Sequence, residues 1–170
     1  MKKIKTLLLL AATLGVITLN SCSKDKNSVP SATITAGVDG TATTFNTNAI
    51  TLSSTVNGAT FTNIQGTASN GATISITLSG KPTAGKTYIS TASKDDDKPV
   101  MLYSLKNDNY FNDDDNTKNI VSVTISSVSS TGVQGTFKGA LTNTVFVGTG
   151  GGTAKTKAIT DGKFNVYFSK

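Results

Sequence analysis

The 170-residue chain has 16 Lys+Arg, 10 Asp+Glu and one Cys, with a formal charge of +6. Every basic residue is Lys and every acidic one Asp; there is no Arg, Glu, His or Trp. That inventory excludes His general bases, His metal ligands and Arg clamps on phosphate or carboxylate.

Taken in chain order, the first element is a leader. Lys2, Lys3 and Lys5 precede an apolar run from Leu7 to Leu14 that continues through Val16 and Ile17. A basic start, a short apolar stretch and small residues before a cut site read as a secretory signal rather than a spanning helix. The context Leu19-Asn20-Ser21-Cys22 resembles the bacterial lipoprotein signal, in which the cysteine thiol is acylated and becomes the mature N-terminus. The resemblance implies residues 1–21 as signal peptide and lipidation, palmitate included, at Cys22. It also implies attachment to the outer membrane through that lipid, facing the periplasm or the cell surface. Three lysines leave with the leader, so 13 Lys stand against 10 Asp. The residual charge gives no reason to expect nucleic acid as a partner.

Residues 22–31 are small, polar and interrupted by Pro30, a flexible tether. Residues 32–170 then read as a single all-β domain, long enough to build a core without disulfides. Ile74, Ile76 and Leu78 alternate with Thr73, Ser75 and Thr77; Val121, Val123 and Ile125 with Ser122 and Thr124; Phe164, Val166 and Phe168 with Lys163, Asn165 and Tyr167. Period two with polar partners predicts antiparallel strands with one wet face. Strands are predicted near 32–38, 41–46, 49–56, 59–67, 72–79, 86–92, 99–106, 119–128, 132–142 and 157–168. Asp39-Gly40, Asn57-Gly58, Asn70-Gly71 and Asp161-Gly162 suit two-residue hairpins, and Ser129-Ser130-Thr131-Gly132 another reversal. The fold class is an antiparallel meander closing into a sandwich or a partly closed barrel.

Two segments break the rhythm: the Asn/Asp-rich 107–119 around Tyr110 and Phe111, and the glycine-rich Gly148–Gly152. Such excursions tend to carry function or disorder, and the first is the better place to look.

Gly135-Thr136-Phe137, followed after a variable loop by Ile159-Thr160-Asp161-Gly162-Lys163-Phe164-Asn165-Val166, resembles the ending of an uncharacterised family of small Bacteroidetes lipoproteins. Val38-Asp39-Gly40 and Ala84-Gly85-Lys86-Thr87-Tyr88 match further upstream, with Lys86 inserted where the family runs Gly-Thr-Tyr directly. The resemblance implies an all-β extracytoplasmic domain. The family has no assigned activity, so it supplies no functional residue.

Gly80-Lys81-Pro82-Thr83-Ala84-Gly85-Lys86-Thr87 matches the letters of the phosphate loop. That loop needs a helix after it, to aim amides at phosphate. The next residues here, Tyr88-Ile89-Ser90-Thr91, are largely β-branched and aromatic, so no nucleotide partner is expected. Asp95–Asp97 and Asp113–Asp115, with Asp108 between, offer oxygens for a hard cation such as Ca²⁺, the one cofactor the sequence raises. Asp113, Asp115 and Asp108 are the candidate ligands. Lys118 and Thr124 stand where an EF-hand needs Gly and Glu, which excludes that motif. The two runs bracket a strand that would hold them on the order of 23 Å apart at ~3.3 Å per residue.

Tyr110-Phe111 is the candidate ligand-contact pair, with a packed loop anchor as its other reading. Three functional readings result. A non-enzymatic, lipid-anchored binding or structural β module, with an envelope protein or glycan as partner, leads. A glycan hydrolase or Ca-dependent glycan-binding protein using the Asp-rich loops is the alternative, and requires carboxylates roughly 5–10 Å apart across a cleft. A subunit of a surface assembly would show an open edge strand or an exposed apolar face.

Overall fold

The computed structural model describes residues 31–112, 119–143 and 154–169. Eleven strands form one sheet: β1 (Thr33–Val38), β2 (Thr41–Phe45), β3 (Thr47–Val56), β4 (Ala59–Thr67), β5 (Thr73–Ser79), β6 (Thr87–Ile89), β7 (Val100–Leu105), β8 (Asp108–Phe111), β9 (Ser122–Val128), β10 (Gly132–Asn143) and β11 (Lys155–Phe168). The spatial order is β2-β1-β11-β3-β4-β5-β7-β8-β10-β9-β6, and β11 also pairs with β10. That second pairing closes a hydrogen-bonded ring through β11, β3, β4, β5, β7, β8 and β10. The all-β expectation holds, and closure decides for a barrel with two appended wings, β1–β2 on β11 and β9–β6 on β10.

Closure depends on the two longest strands being shared. The 132–138 half of β10 pairs with β9, while Thr142 meets Phe111 of β8. On β11, residues 159–165 pair with β1, and Tyr167 and Phe168 pair with Ile50 and Thr51 of β3. The β11–β3 junction is parallel. Among the described strand pairs it is the one departure from the antiparallel pattern: a strand arriving from late in the sequence seals the meander.

Alternation places Ile64, Ile74, Ile76, Leu78, Met101, Tyr103, Val123, Ile125, Phe137, Leu141, Ile159 and Phe164 in a single core. Each such aliphatic contributes about 1.5–3 kcal/mol on burial. The β1–β2 wing folds over the inner face of β4. A Cβ on Gly66 would lie 2.7 Å from the Phe45 carbonyl oxygen, so only glycine lets these strands approach.

Asp39-Gly40 and Asn57-Gly58 make their two-residue hairpins, at φ of 48° and 79°, and 50° and 82°. Asn70-Gly71 does not: it lies in a five-residue loop between Thr67 and Thr73, where the Asn70 Oδ1 accepts from the Ala72 N–H at 3.0 Å. Asp161-Gly162 is not a hairpin either. Both ladders of β11 carry one extra residue there, and Asp161 sits at φ 51°, so the pair is a bulge that bends a continuous strand. The described start of the 107–119 segment is more regular than its composition suggested. Lys106, at φ 56°, reverses the chain, and Asp108–Phe111 returns along β7 as β8. The predicted 86–92 strand shortens to Thr87–Ile89, and Asp95–Asp97 form a 3-10 turn.

Candidate functional site

Among the described residues, the sequence-predicted Asp108, Tyr110 and Phe111 form no joint site. Cys22, Asp113 and Asp115 lie outside the described residues, as does the Gly148–Gly152 run. Asp108 is exposed at the start of β8, opposite Leu105. Tyr110 and Phe111 face opposite sides of the sheet. Tyr110 is 4% exposed, its ring 6.1 Å from that of Tyr103, whereas Phe111 is 37% exposed on the outer face. The pair therefore presents no joint contact surface, and Tyr110 is a packed anchor of β8. Among the described residues, no three carboxylates or thiols converge where they could hold a metal.

What the fold does bring together is the lysine-bearing loop after β5 and the first acidic run. Gly80, at φ 78°, turns the chain out of β5; its N–H donates to the Thr60 carbonyl at 2.7 Å and its carbonyl accepts from the Thr62 hydroxyl at 2.8 Å. The Gly85 N–H donates to the Ile125 carbonyl at 2.8 Å, and the Ile125 N–H to the Lys86 carbonyl at 2.9 Å. These bonds hand the chain to β9 as strand β6 instead of starting a helix, so the phosphate-loop lettering has no helix N-terminus behind it. Beyond β6, the 3-10 turn carries Asp95–Asp97 back alongside.

Between these pieces lies a cleft of about 460 Å³ at the rim of the barrel, lined by Phe61, Ser79, Lys81, Lys86, Tyr88 and Asp96 among others. The Lys86 ammonium is 2.6 Å from the Asp97 carboxylate and 4.5 Å from the centre of the buried Tyr88 ring. Its hydrogen bond to Asp97 raises the Lys86 pKa and lowers that of Asp97. Burial, opposed by the Lys86 charge, raises Tyr88. At neutral pH the wall is therefore a fixed ion pair standing on a neutral phenol. Asp96 and Lys81 line the same cleft with no ion-pair partner among the described residues.

A second ion pair braces the opposite wing. Asp39, in the β1–β2 turn, accepts from the Lys157 ammonium at 2.5 Å and from the Ala158 N–H at 2.9 Å. Lys157 lies 5.6 Å from the Tyr110 ring centre. The Lys157 hydrogen bond, then that of Ala158, lowers the Asp39 pKa, and the Lys157 pKa rises in return. Both displaced carboxyls thus move down. A glycosidase acid needs a carboxyl displaced upward, so Asp39 and Asp97 suit binding and bracing rather than proton donation.

Sequence reasoning singled out Lys86 and Asp95–Asp97 separately but did not join them, and it missed Phe61 altogether. Phe61 sits at an outward position of β4, opposite Ser79, and an isolated aromatic among threonines gives no signal until the register is known. No protein family, curated protein or solved structure matches this chain.

Proposed function

We propose that this chain is a lipid-anchored lipoprotein of the outer membrane, akin to the small Bacteroidetes lipoproteins it resembles. Its β domain acts as a binding or structural module rather than as an enzyme. The observation that carries the reading is the chain's only cysteine, Cys22, placed directly after a basic-then-apolar leader and before a polar tether. A thiol there is matched to acylation, and several acyl chains hold a protein at a membrane where one would let it exchange. The side-chain inventory supports the non-enzymatic half: chemistry would fall to Asp, Lys, Tyr and hydroxyls. Asp39, Asp95 and Asp97 are already engaged by lysines. The partner is an envelope protein or a glycan.

The test is fractionation of cells expressing the full chain or Cys22→Ala. Wild type stays with membranes through a carbonate wash, and Cys22→Ala is released with an unchanged β-type circular dichroism spectrum. Retention of Cys22→Ala in washed membranes overturns the reading.

A further inference from the structure

We propose that the rim cleft between β4–β5 and β6 binds a short, uncharged saccharide. This deepens the binding-module reading and rests on it. Three features of the cleft select the ligand class. Its volume, about 460 Å³, lies within the roughly 300–1,000 Å³ of small-molecule sites. Its lining carries both signs, Lys81, Lys86 and Asp96, and the Lys86 ammonium is already held by Asp97 at 2.6 Å. Its surface mixes a half-buried aromatic ring, Phe61, with hydroxyl, carboxylate and ammonium groups.

The mixed charge of the lining argues against the ions that the sequence motifs suggest. A phosphate would meet Asp96 and a Lys86 already held by Asp97, and would find no helix N-terminus, because a strand follows the loop. A divalent cation would find one lining carboxylate, Asp96, against the ammonium groups of Lys81 and Lys86. A sugar suits all the groups at once. Its hydroxyls donate to Asp96 and accept from Lys81, while its C–H face covers the apolar ring of Phe61. The Lys86–Asp97 pair and Tyr88 form the rigid wall that holds this arrangement, and Gly80, bonded through both its N–H and its carbonyl to β4, fixes the floor. A site held by backbone bonds on both sides orders little on binding, which favours affinity from few contacts.

The experiment is isothermal titration of the full acylated chain in lipid nanodiscs with maltose, cellobiose, lactose and N,N′-diacetylchitobiose. Calcium chloride and sodium phosphate are titrated in parallel. At least one disaccharide is expected to give saturable heat. Asp96→Asn, which keeps shape and removes the charge, weakens that binding about tenfold, the scale of a hydrogen bond to a charged group. Phe61→Ala also weakens it about tenfold, through the lost apolar face. Thr136→Ala, on β10 and outside the cleft lining, leaves it unchanged. Circular dichroism melts of each variant show that the fold persists, and Asp96→Asn decides if Phe61→Ala unfolds. No heat from any sugar, or sugar heat unaltered by Asp96→Asn, overturns the proposal. So does calcium or phosphate heat that Asp96→Asn or Lys81→Ala abolishes. Repeating the titration with Cys22→Ala in solution separates the two claims, since loss of anchoring leaves the sugar heat intact.

Discussion

Phe164 fills the volume that a side chain at Gly135 would need. The two residues are cross-strand partners on β11 and β10, and a Cβ on Gly135 would overlap the Cζ of the ring. A little further along the ladder the arrangement is inverted: Phe137 lies over Gly162, whose Cβ would come 2.6 Å from the ring edge. The two rings stack at 6.3 Å with 24° between their planes. Two glycine–phenylalanine pairs therefore interlock β10 with β11, the strands whose sharing closes the barrel.

Gly135→Ala and Gly162→Ala are each expected to cost about 3 kcal/mol or more, because rings in a packed core have nowhere to move. Urea unfolding of each variant measures this. A loss below ~1 kcal/mol would mean the rings repack freely and the interlock is unimportant.

Gly135 and Phe137, two apart on β10, share one buried face, as period-two alternation requires. Only the register shows that the space at Gly135 is filled by Phe164 of the adjacent strand. This marks the general boundary of what was legible. Period-two alternation located most strands because each buries one face, and Asp39-Gly40 and Asn57-Gly58 declared their turns because few other pairs adopt positive φ. Asp161-Gly162 uses the same backbone chemistry in a bulge, and only pairing on both sides distinguishes the two uses. Strand β8 was hidden because Asp108, Asn109 and Asn112 look like loop residues. The cleft was hidden because Phe61, Lys86 and Asp96 come from three elements joined only by the closed sheet.

Asn112 shows why that polar segment is ordered. Its Oδ1 accepts from the Met101 N–H at 2.6 Å and its Nδ2 donates to the Pro99 carbonyl at 3.0 Å, both buried. Asn112→Ala leaves two buried backbone groups without partners and is expected to cost about 2–6 kcal/mol, at about 1–3 for each unmet group. Asn112→Asp retains an acceptor for Met101 and loses the donor to Pro99, so it should also destabilise. Thermal melts of both variants check this; a wild-type Tm for Asn112→Ala would contradict it.

Thr51 makes the opposite case. It is fully buried where β3 meets β11, and its hydroxyl oxygen has no hydrogen-bond partner among the described residues. Thr51→Val removes an uncompensated polar group at nearly constant shape and is expected to raise stability by about 1 kcal/mol. Chemical denaturation that shows Thr51→Val less stable than wild type would mean the hydroxyl is satisfied in solution.

The Asp39–Lys157 brace sets a pH window. Asp39 has a lowered pKa in the folded chain, so its contribution is present above the unfolded carboxyl value, 3.8, and fades as pH falls through the folded one. Lys157 has a raised pKa, so its contribution is complete below its unfolded value, 10.5, and is lost as pH rises through the folded one. The pair is partly exposed, which limits it to about 0–1 kcal/mol. Asp39→Asn retains the Ala158 bond and should flatten the acid limb of a Tm-against-pH curve below pH 3.8. An acid limb identical to wild type would place the titrating group elsewhere.

The central claim, that Cys22 is the lipid-bearing N-terminus, is tested most directly by mass spectrometry of the mature N-terminal peptide isolated from membranes. Cleavage between Ser21 and Cys22 is expected, with a diacylglyceryl thioether on the sulfur and a palmitoyl-type acyl group on the new amine. A peptide that retains residues upstream of Cys22, or that begins at Cys22 with an unmodified thiol, would contradict it.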